Sequence, residues 1–322
     1  MSKKIFNLSK LSCLLFLSCN LGANVSIAQT QPQGQQQPAE IKELKGRTLD
    51  KIKSTGKIVV GVRTSSMPLS YTETFKEDGK PLGYAVDICN NIVDKYKLKN
   101  GLQNISTQYV FVNAKNRLDK VRAGEVDLEC GSTTNNADRR EKVYFSVPYY
   151  IASAKIITLN NRNDIFDLFS LKGKSIGYIK GSTMDKTLDG YNKYRNLNIK
   201  KVEVASPDEA MKKIDEKAVD AFAYDDLIVY ALKANSQNPN NYKILNDSLS
   251  IEPESIIMRK NDKEFSNFVD EELKNLIRTG QVQSLYEKWF LSPIAPKGKS
   301  LDLQPSKLLK DVFRFPTTVV GN

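Results

Sequence analysis

The chain spells one alternation of strand and helix twice, and that repetition limits its fold more than any other feature. Gly56-Lys57-Ile58-Val59-Val60-Gly61 is echoed by Gly173-Lys174-Ser175-Ile176-Gly177-Tyr178, and Val126-Asp127-Leu128-Glu129-Cys130 by Val219-Asp220-Ala221-Phe222-Ala223. In the first copy, residues 58–62 form a continuous apolar run of strand length. Tyr84, Ile88 and Ile92, flanked by Ala85, Cys89 and Val93, then fall on one helical face. Residues 109–112 read as a second strand, 115–123 as a helix and 126–130 as a third strand. The second copy places a helix after Gly181-Ser182-Thr183, a strand near 202–204 and a helix from about Asp208. Strands that alternate with helices build mainly parallel sheets covered on both faces, so two similar α/β lobes are expected. A ligand of such sheets sits at the carboxyl ends of the strands, which between two lobes is the cleft.

Composition closes off several chemistries. The 322 residues contain no histidine, which removes the Ser-His-Asp triad, the Cys-His pair, a His general base and His-ligated zinc or iron. Four cysteines are too few for a disulfide scaffold, and none forms a C-x-x-C pair, so neither metal nor cofactor is expected. Met1-Ser2-Lys3-Lys4, the apolar stretch 11–21 and Ser26-Ile27-Ala28 before Gln29 read as a secretory signal over residues 1–28. That apolar run is too short to remain as a membrane span, and nothing later approaches about 18 uninterrupted apolar residues. Lipidation at Cys19 is disfavoured by Phe16 three residues before it.

Removing residues 1–28 takes away Lys3, Lys4 and Lys10 and no acid, lowering the formal charge from +11 to +8. The remaining basic residues are scattered and paired with acids, as in Asp215-Glu216-Lys217. They read as solvated faces, and with no basic stripe interleaved with aromatics no nucleic acid is expected as a partner. Cys89 and Cys130 remain after export. An oxidising compartment lets them join if their Cα atoms lie within bridging distance, which spacing alone does not settle.

Residues 29–48 open with Gln29-Thr30-Gln31-Pro32-Gln33-Gly34-Gln35-Gln36-Gln37-Pro38 and read as a disordered Gln/Pro-rich spacer. Residues 49–150 are expected to form the first part of lobe 1 and 151–248 lobe 2. Residues 249–295, with a helix near 262–278 and the amphipathic Leu285-Tyr286-Glu287-Lys288-Trp289-Phe290, are expected to cross back and complete lobe 1. Two crossings make a hinge. Residues 296–322, with Pro296, Pro305 and Pro316, are expected to be a tail wrapped over the surface.

Three arginines stand at the ends of expected strands or in the loops beyond them: Arg63, Arg117 and Arg139. A guanidinium fork matches a carboxylate, so arginines gathered at one sheet edge suggest an acidic ligand. Taken singly, each reads as a surface charge. Cys130-Gly131-Ser132-Thr133-Thr134-Asn135-Asn136 sets hydroxyls and backbone N–H groups after the third strand, where they suit either a small polar ligand or a helix cap. Gly181-Ser182-Thr183 holds the matching place in the second lobe, where a helix N-terminus favours a negative group. Asp225, in Tyr224-Asp225-Asp226, offers a carboxylate to an ammonium group or to solvent.

Four segments carry a resemblance: Val60-Gly61-Val62-Arg63-Thr64-Ser65-Ser66, Glu129 through Asn136, Asp225-Asp226 and Lys288-Trp289-Phe290. Over roughly residues 49–300 the chain resembles the periplasmic amino-acid-binding proteins of ABC importers (solute-binding protein family 3), and within them the glutamate/aspartate-binding branch. The resemblance implies the periplasmic-binding-protein type II fold, in which two α/β lobes are joined by a two-strand hinge. It implies a monomer that captures glutamate or aspartate in the periplasm and delivers it to a membrane permease. Arg139, Thr134 and Ser132 would hold the α-carboxylate, with Thr133 beside them, and Arg63 and Arg117 would receive the side-chain carboxylate. Asp225 would take the α-ammonium, while Ser182 and Thr183 add hydrogen bonds as the lobes close. The branch's second-lobe histidine has no counterpart here, and Pro207 stands nearest to it. The alternative on this fold is an enzyme similar to the exported cyclohexadienyl (arogenate/prephenate) dehydratases, with Glu129 or Asp127 as general acid.

Overall fold

The computed structural model of the protein describes residues 46–318; the signal segment, Cys19 and the spacer through residue 45 lie outside the described residues. Helix α1 (Thr48–Thr55) begins inside the stretch expected to be spacer. Leu49 and Ile52 are buried there, and the Asp262 carboxylate accepts from the Thr48 amide, which anchors the first turn. Gly56 ends the helix at φ 68°, a left-handed cap that favours glycine. Strand β1 (Lys57–Val62) follows, then a short hairpin of β2 (Ser65–Ser66) and β3 (Ser70–Tyr71), and the long helix α2 (Tyr84–Lys99). After it come β4 (Ser106–Phe111), α3 (Arg117–Arg122), β5 (Leu128–Glu129), α4 (Ala137–Arg140) and β6 (Val143–Phe145).

Strand β7 (Tyr150–Leu159) carries the chain into a second lobe. That lobe holds β8 (Ser175–Tyr178), α5 (Met184–Arg195), β9 (Lys200–Glu203), α6 (Pro207–Asp215), β10 (Ala221–Asp225), α7 (Asp226–Asn235) and β11 (Tyr242–Ile244). Strand β12 (Ile251–Glu254) returns beside β7, and β13 (Ile257–Arg259) enters the first sheet. Helices α8 (Lys263–Arg278), α9 (Gln281–Tyr286) and α10 (Lys307–Arg314) follow.

The first sheet has the order β4-β1-β5-β13-β6, and the second β11-β7-β10-β8-β9 with β12 paired to β7. Strand β1 runs parallel to β4 and β5, and β8 parallel to β9 and β10, as strand–helix alternation requires. The sheets are nevertheless mixed, not mainly parallel. Strand β13 is antiparallel to β5 and β6, and β7 to β10 and β11. Both enter from the crossings between lobes, without the crossover helix that would bring the chain back in the same direction.

An aromatic cluster fastens the crossings to the first lobe. Tyr286 stacks on Phe290 at 4.2 Å between ring centroids, Tyr150 on Phe290 at 5.2 Å, and Tyr84 meets Phe290 edge-on at 5.4 Å. Each such pair contributes about 0.5–1.5 kcal/mol beyond its buried area. Cys89 of α2 is joined to Cys130 by a disulfide, with Cα atoms 6.3 Å apart.

The tail is more structured than its prolines suggest. Helix α10 buries Leu309, the Tyr286 hydroxyl donates to the Leu303 carbonyl at 3.0 Å, and the Tyr71 hydroxyl to the Ala295 carbonyl at 2.7 Å. Lys297 and Lys299 donate to the Asn235 and Ala234 carbonyls at the end of α7, at 2.5 and 3.2 Å.

Candidate functional site

The strand ends bring Arg63 and Arg117 together on Ser132, with Arg139 beside Arg117. Arg63 follows β1 directly, its amide donating to the Ser70 hydroxyl at 2.9 Å. Its Nη1 reaches the Ser132 hydroxyl at 3.4 Å, a long contact, and Ser66 shares that hydroxyl at 3.1 Å. Arg117, the first residue of α3, donates from Nη1 to the Ser132 carbonyl. Arg139 sits in α4, whose start is capped by the Asn136 side chain accepting from the Arg139 amide at 3.0 Å. The three arginines are only 5%, 2% and 8% exposed, so none of them is the surface charge that an isolated arginine usually is.

Arg139 also spans the lobes. Its Nη1 donates to the Thr134 carbonyl at 3.0 Å, and its Nη2 to the Gly181 carbonyl of the second lobe at 3.1 Å. Gly181 has φ +84°, and a Cβ there would lie 2.7 Å from the Ala114 carbonyl oxygen, so the lobes touch backbone to backbone. Lys115 and Glu203 add an ion pair across the same seam at 2.6 Å, though at half-exposed side chains such a pair contributes at most about 1 kcal/mol. Ser182 donates to the Ile179 carbonyl at 2.6 Å, and Thr183 precedes α5 without a side-chain cap bond. Thr133 donates to Glu129 at 2.7 Å, and Thr134 bridges to Glu254. The segment from Cys130 is pinned by the disulfide and by the Tyr149 hydroxyl on the Gly131 carbonyl.

Asp225 closes β10 from the other lobe, 6% exposed. Burial pushes its carboxyl up to about 8, with Glu252 and Asp226 adding to the rise and Arg117 and Arg139 opposing it. Arg139 is pushed down to about 10 by burial and by the neighbouring Arg117, against the pull of Glu254, Glu252 and Asp225, and it stays charged at neutral pH.

Glu252 and Glu254 were not singled out from the sequence. They flank Pro253 on the return strand, are 2% and 0% exposed, and bring carboxyl groups to the arginines from the hinge. The cleft is therefore not the purely cationic pocket that three arginines suggest. A faint signal existed, since residues two apart on a strand share a face, but an acidic pair around a proline also describes a solvated loop. Of the two acids considered for elimination chemistry, Asp127 accepts from Lys51 and the Val59 amide, both at 2.8 Å, and Glu129 accepts from Thr133.

A cavity of about 590 Å³ opens elsewhere between the lobes, walled by Met67, Phe75, Met211 and Leu232 with Asp208 and Asp215. It lacks a guanidinium, and so offers a carboxylate no fork. The arginine cluster with Asp225 opposite is the arrangement with matched chemistry, donors for an anion facing an acceptor for an ammonium group.

Comparison with known proteins places this geometry. The sequence model of the bacterial extracellular solute-binding proteins, family 3, matches residues 58–292. The L-glutamate/L-aspartate-binding protein of Pseudomonas aeruginosa is 33% identical over 280 residues, covering 87% of this chain and 91% of that protein. The glutamate/aspartate import solute-binding protein of Escherichia coli K12 is 30% identical over 271 residues, covering 84% and 88%. The solved structure of an ancestral arginine-binding protein bound to arginine superposes with a TM-score of 0.64 at 25% identity, covering 73% of this chain and 98% of that one. The chain belongs to the bacterial extracellular solute-binding proteins, family 3, and folds as a type II periplasmic binding protein of two α/β lobes.

Proposed function

We propose that the protein captures glutamate or aspartate between its lobes in the periplasm and delivers it to the permease of an ABC importer. It does so as a monomer, with no reaction and no cofactor of its own. The observation that carries this reading is the gathering of three buried arginines, Arg63 and Arg117 on Ser132 and Arg139 beside Arg117, with Asp225 near Arg117 and Arg139 from the second lobe. In it, Arg139 with Ser132 and Thr134 takes the α-carboxylate, Arg63 and Arg117 the side-chain carboxylate, and Asp225 the ammonium group. Ser182 and Thr183 contribute from the second lobe. The names of the Pseudomonas and Escherichia relatives support the same ligand class. Export is supported by the family description, and among the described residues no helix is long and apolar enough to cross a membrane.

The energetics suffice. Micromolar affinity needs about 8 kcal/mol, and each hydrogen bond to a charged group contributes about 1.5–3 kcal/mol. A ligand held by both lobes stabilises only the closed form, which lets a permease distinguish loaded from empty protein.

Calorimetric titration with the common amino acids tests the reading. Glutamate or aspartate is expected to saturate the protein, while tight glutamine or arginine binding without a response to glutamate would reject the acidic assignment. Arg117→Ala is expected to weaken glutamate about ten- to a hundredfold, the loss of one charge-assisted contact, and glutamine by less than about threefold. Equal losses for both ligands would remove Arg117 from side-chain recognition.

The seam at Gly181 makes a separate prediction. Gly181→Ala places a methyl group against the Ala114 carbonyl only when the lobes are shut. All ligands should therefore weaken by about tenfold or more, a cost of ~1.4 kcal/mol. Thermal unfolding of the ligand-free protein, followed by circular dichroism, should shift by only a few degrees, about what ~1 kcal/mol of left-handed backbone strain produces. A large drop in unfolding temperature with unchanged affinity would show that Gly181 serves the fold and not closure.

A further inference from the structure

Three buried carboxyl groups stand beside the guanidinium groups of Arg117 and Arg139: Asp225 from β10, and Glu252 and Glu254 from the return strand β12. Glu254 is 0% exposed, and neither of its carboxyl oxygens has a hydrogen-bond partner among the described residues. An ionised carboxylate with no donor is among the costliest groups to bury, and it ordinarily takes a proton instead. An acidic amino acid brings a further net negative charge to the same arginines.

Building on the acidic-ligand reading above, we propose that Glu254 takes up a proton from solvent as the lobes close, so that capture of the amino acid is proton-linked. In the open form its carboxylate faces water. On closing, one O–H bond forms on Glu254, water or buffer supplies the proton, and the ligand keeps its own charges.

The surroundings of Glu254 support this from every side. Arg117 of α3 and Arg139 of α4 favour its ionised form, whereas Asp225 of β10 and Glu252 of its own strand oppose it. Burial is the largest influence, and the balance holds Glu254 well above the usual carboxylate range. Asp226 acts on the cluster through Asp225, and Glu129 and Glu254 both face Tyr149. The Tyr149 and Tyr150 hydroxyls are themselves pushed up by burial and remain neutral at physiological pH. The sign follows from the direction. A carboxyl raised in the closed form leaves closure unhindered at pH values below the ordinary carboxylate range. Above that range, affinity declines as pH rises toward the closed-form value.

Two measurements on the full chain test this with glutamate as the probe. Titration between pH 5.5 and 8 is expected to weaken affinity about tenfold per pH unit for each proton taken up. Calorimetry at pH 7 in phosphate and in Tris, which differ in ionisation enthalpy, is expected to show uptake of about one proton per glutamate, because the ligand's ammonium group keeps Asp225 ionised in the loaded form. Glu254→Gln, a neutral mimic of the protonated acid, is expected to lower that count by about one and flatten the pH profile. Saturable glutamate binding by the wild-type protein with a flat profile and no proton uptake would overturn the proposal while sparing the acidic-ligand reading. No heat with glutamate at any pH would overturn that reading itself. A Glu254→Gln variant that keeps the wild-type slope would overturn the assignment to Glu254. The wild-type slope and proton count stand as the test if that variant does not fold.

Discussion

Arg139→Ala is expected to weaken every amino-acid ligand by about 10²–10³-fold while the protein remains folded. Arg139 is the arginine that donates to both lobes, to Thr134 in the first and Gly181 in the second. Its loss removes the proposed α-carboxylate fork and the cross-lobe donor together. Truncating one partner of a buried charge pair costs about 3–5 kcal/mol, which is the size of the predicted effect. The loss falls on the closed form, because the Gly181 contact exists only when the lobes meet. Calorimetry with glutamate, aspartate and glutamine should therefore show parallel losses, in contrast to Arg117→Ala. Arg139→Lys keeps the charge without the fork and should fall between the alanine variant and the wild type. A folded Arg139→Ala protein that binds glutamate within about threefold of wild type would remove this residue from the site.

The second large effect is on stability. The Cys89–Cys130 disulfide closes a loop with a sequence separation of 41, and the chain-entropy account assigns such a loop about 4 kcal/mol. Replacing both cysteines by alanine should lower the unfolding midpoint by on the order of 10 °C, measured by scanning calorimetry. Binding should suffer as well, because Cys130 anchors the segment that carries Ser132 and Thr134. A change in midpoint below about 2 °C would mean that burial in α2 already holds this segment, and that the bond adds little.

What the sequence discloses here follows a physical division. Residues 58–62 and the Tyr84–Ile88–Ile92 face are legible because a buried strand and an amphipathic helix write their burial into the local pattern. Arg63, Arg117 and Arg139 are legible as a group because their positions after strands put them at one sheet edge. The direction of β7 and β13 is not local information. Nothing in either strand's own residues marks its direction, and only the path of the chain through the crossings makes them antiparallel. Glu252 and Glu254 stay hidden for a related reason: the groups around Glu254, Arg117, Arg139 and Tyr149 of the first lobe and Asp225 of the second, come from distant parts of the chain, and nothing near Pro253 records them. Helix α10 was concealed by the prolines on either side of it, although Leu308 and Leu309 begin a short amphipathic turn.

The tail gives the molecule a third attachment. A body joined by two neighbouring strands can twist as well as bend, but Lys297 and Lys299 grip the end of α7 while Tyr71 and Tyr286 hold the same segment to the first lobe. Torsion between the lobes would have to break those bonds as well as bend the two β crossings, so the last stretch of the chain acts as a brace on the outside of the joint.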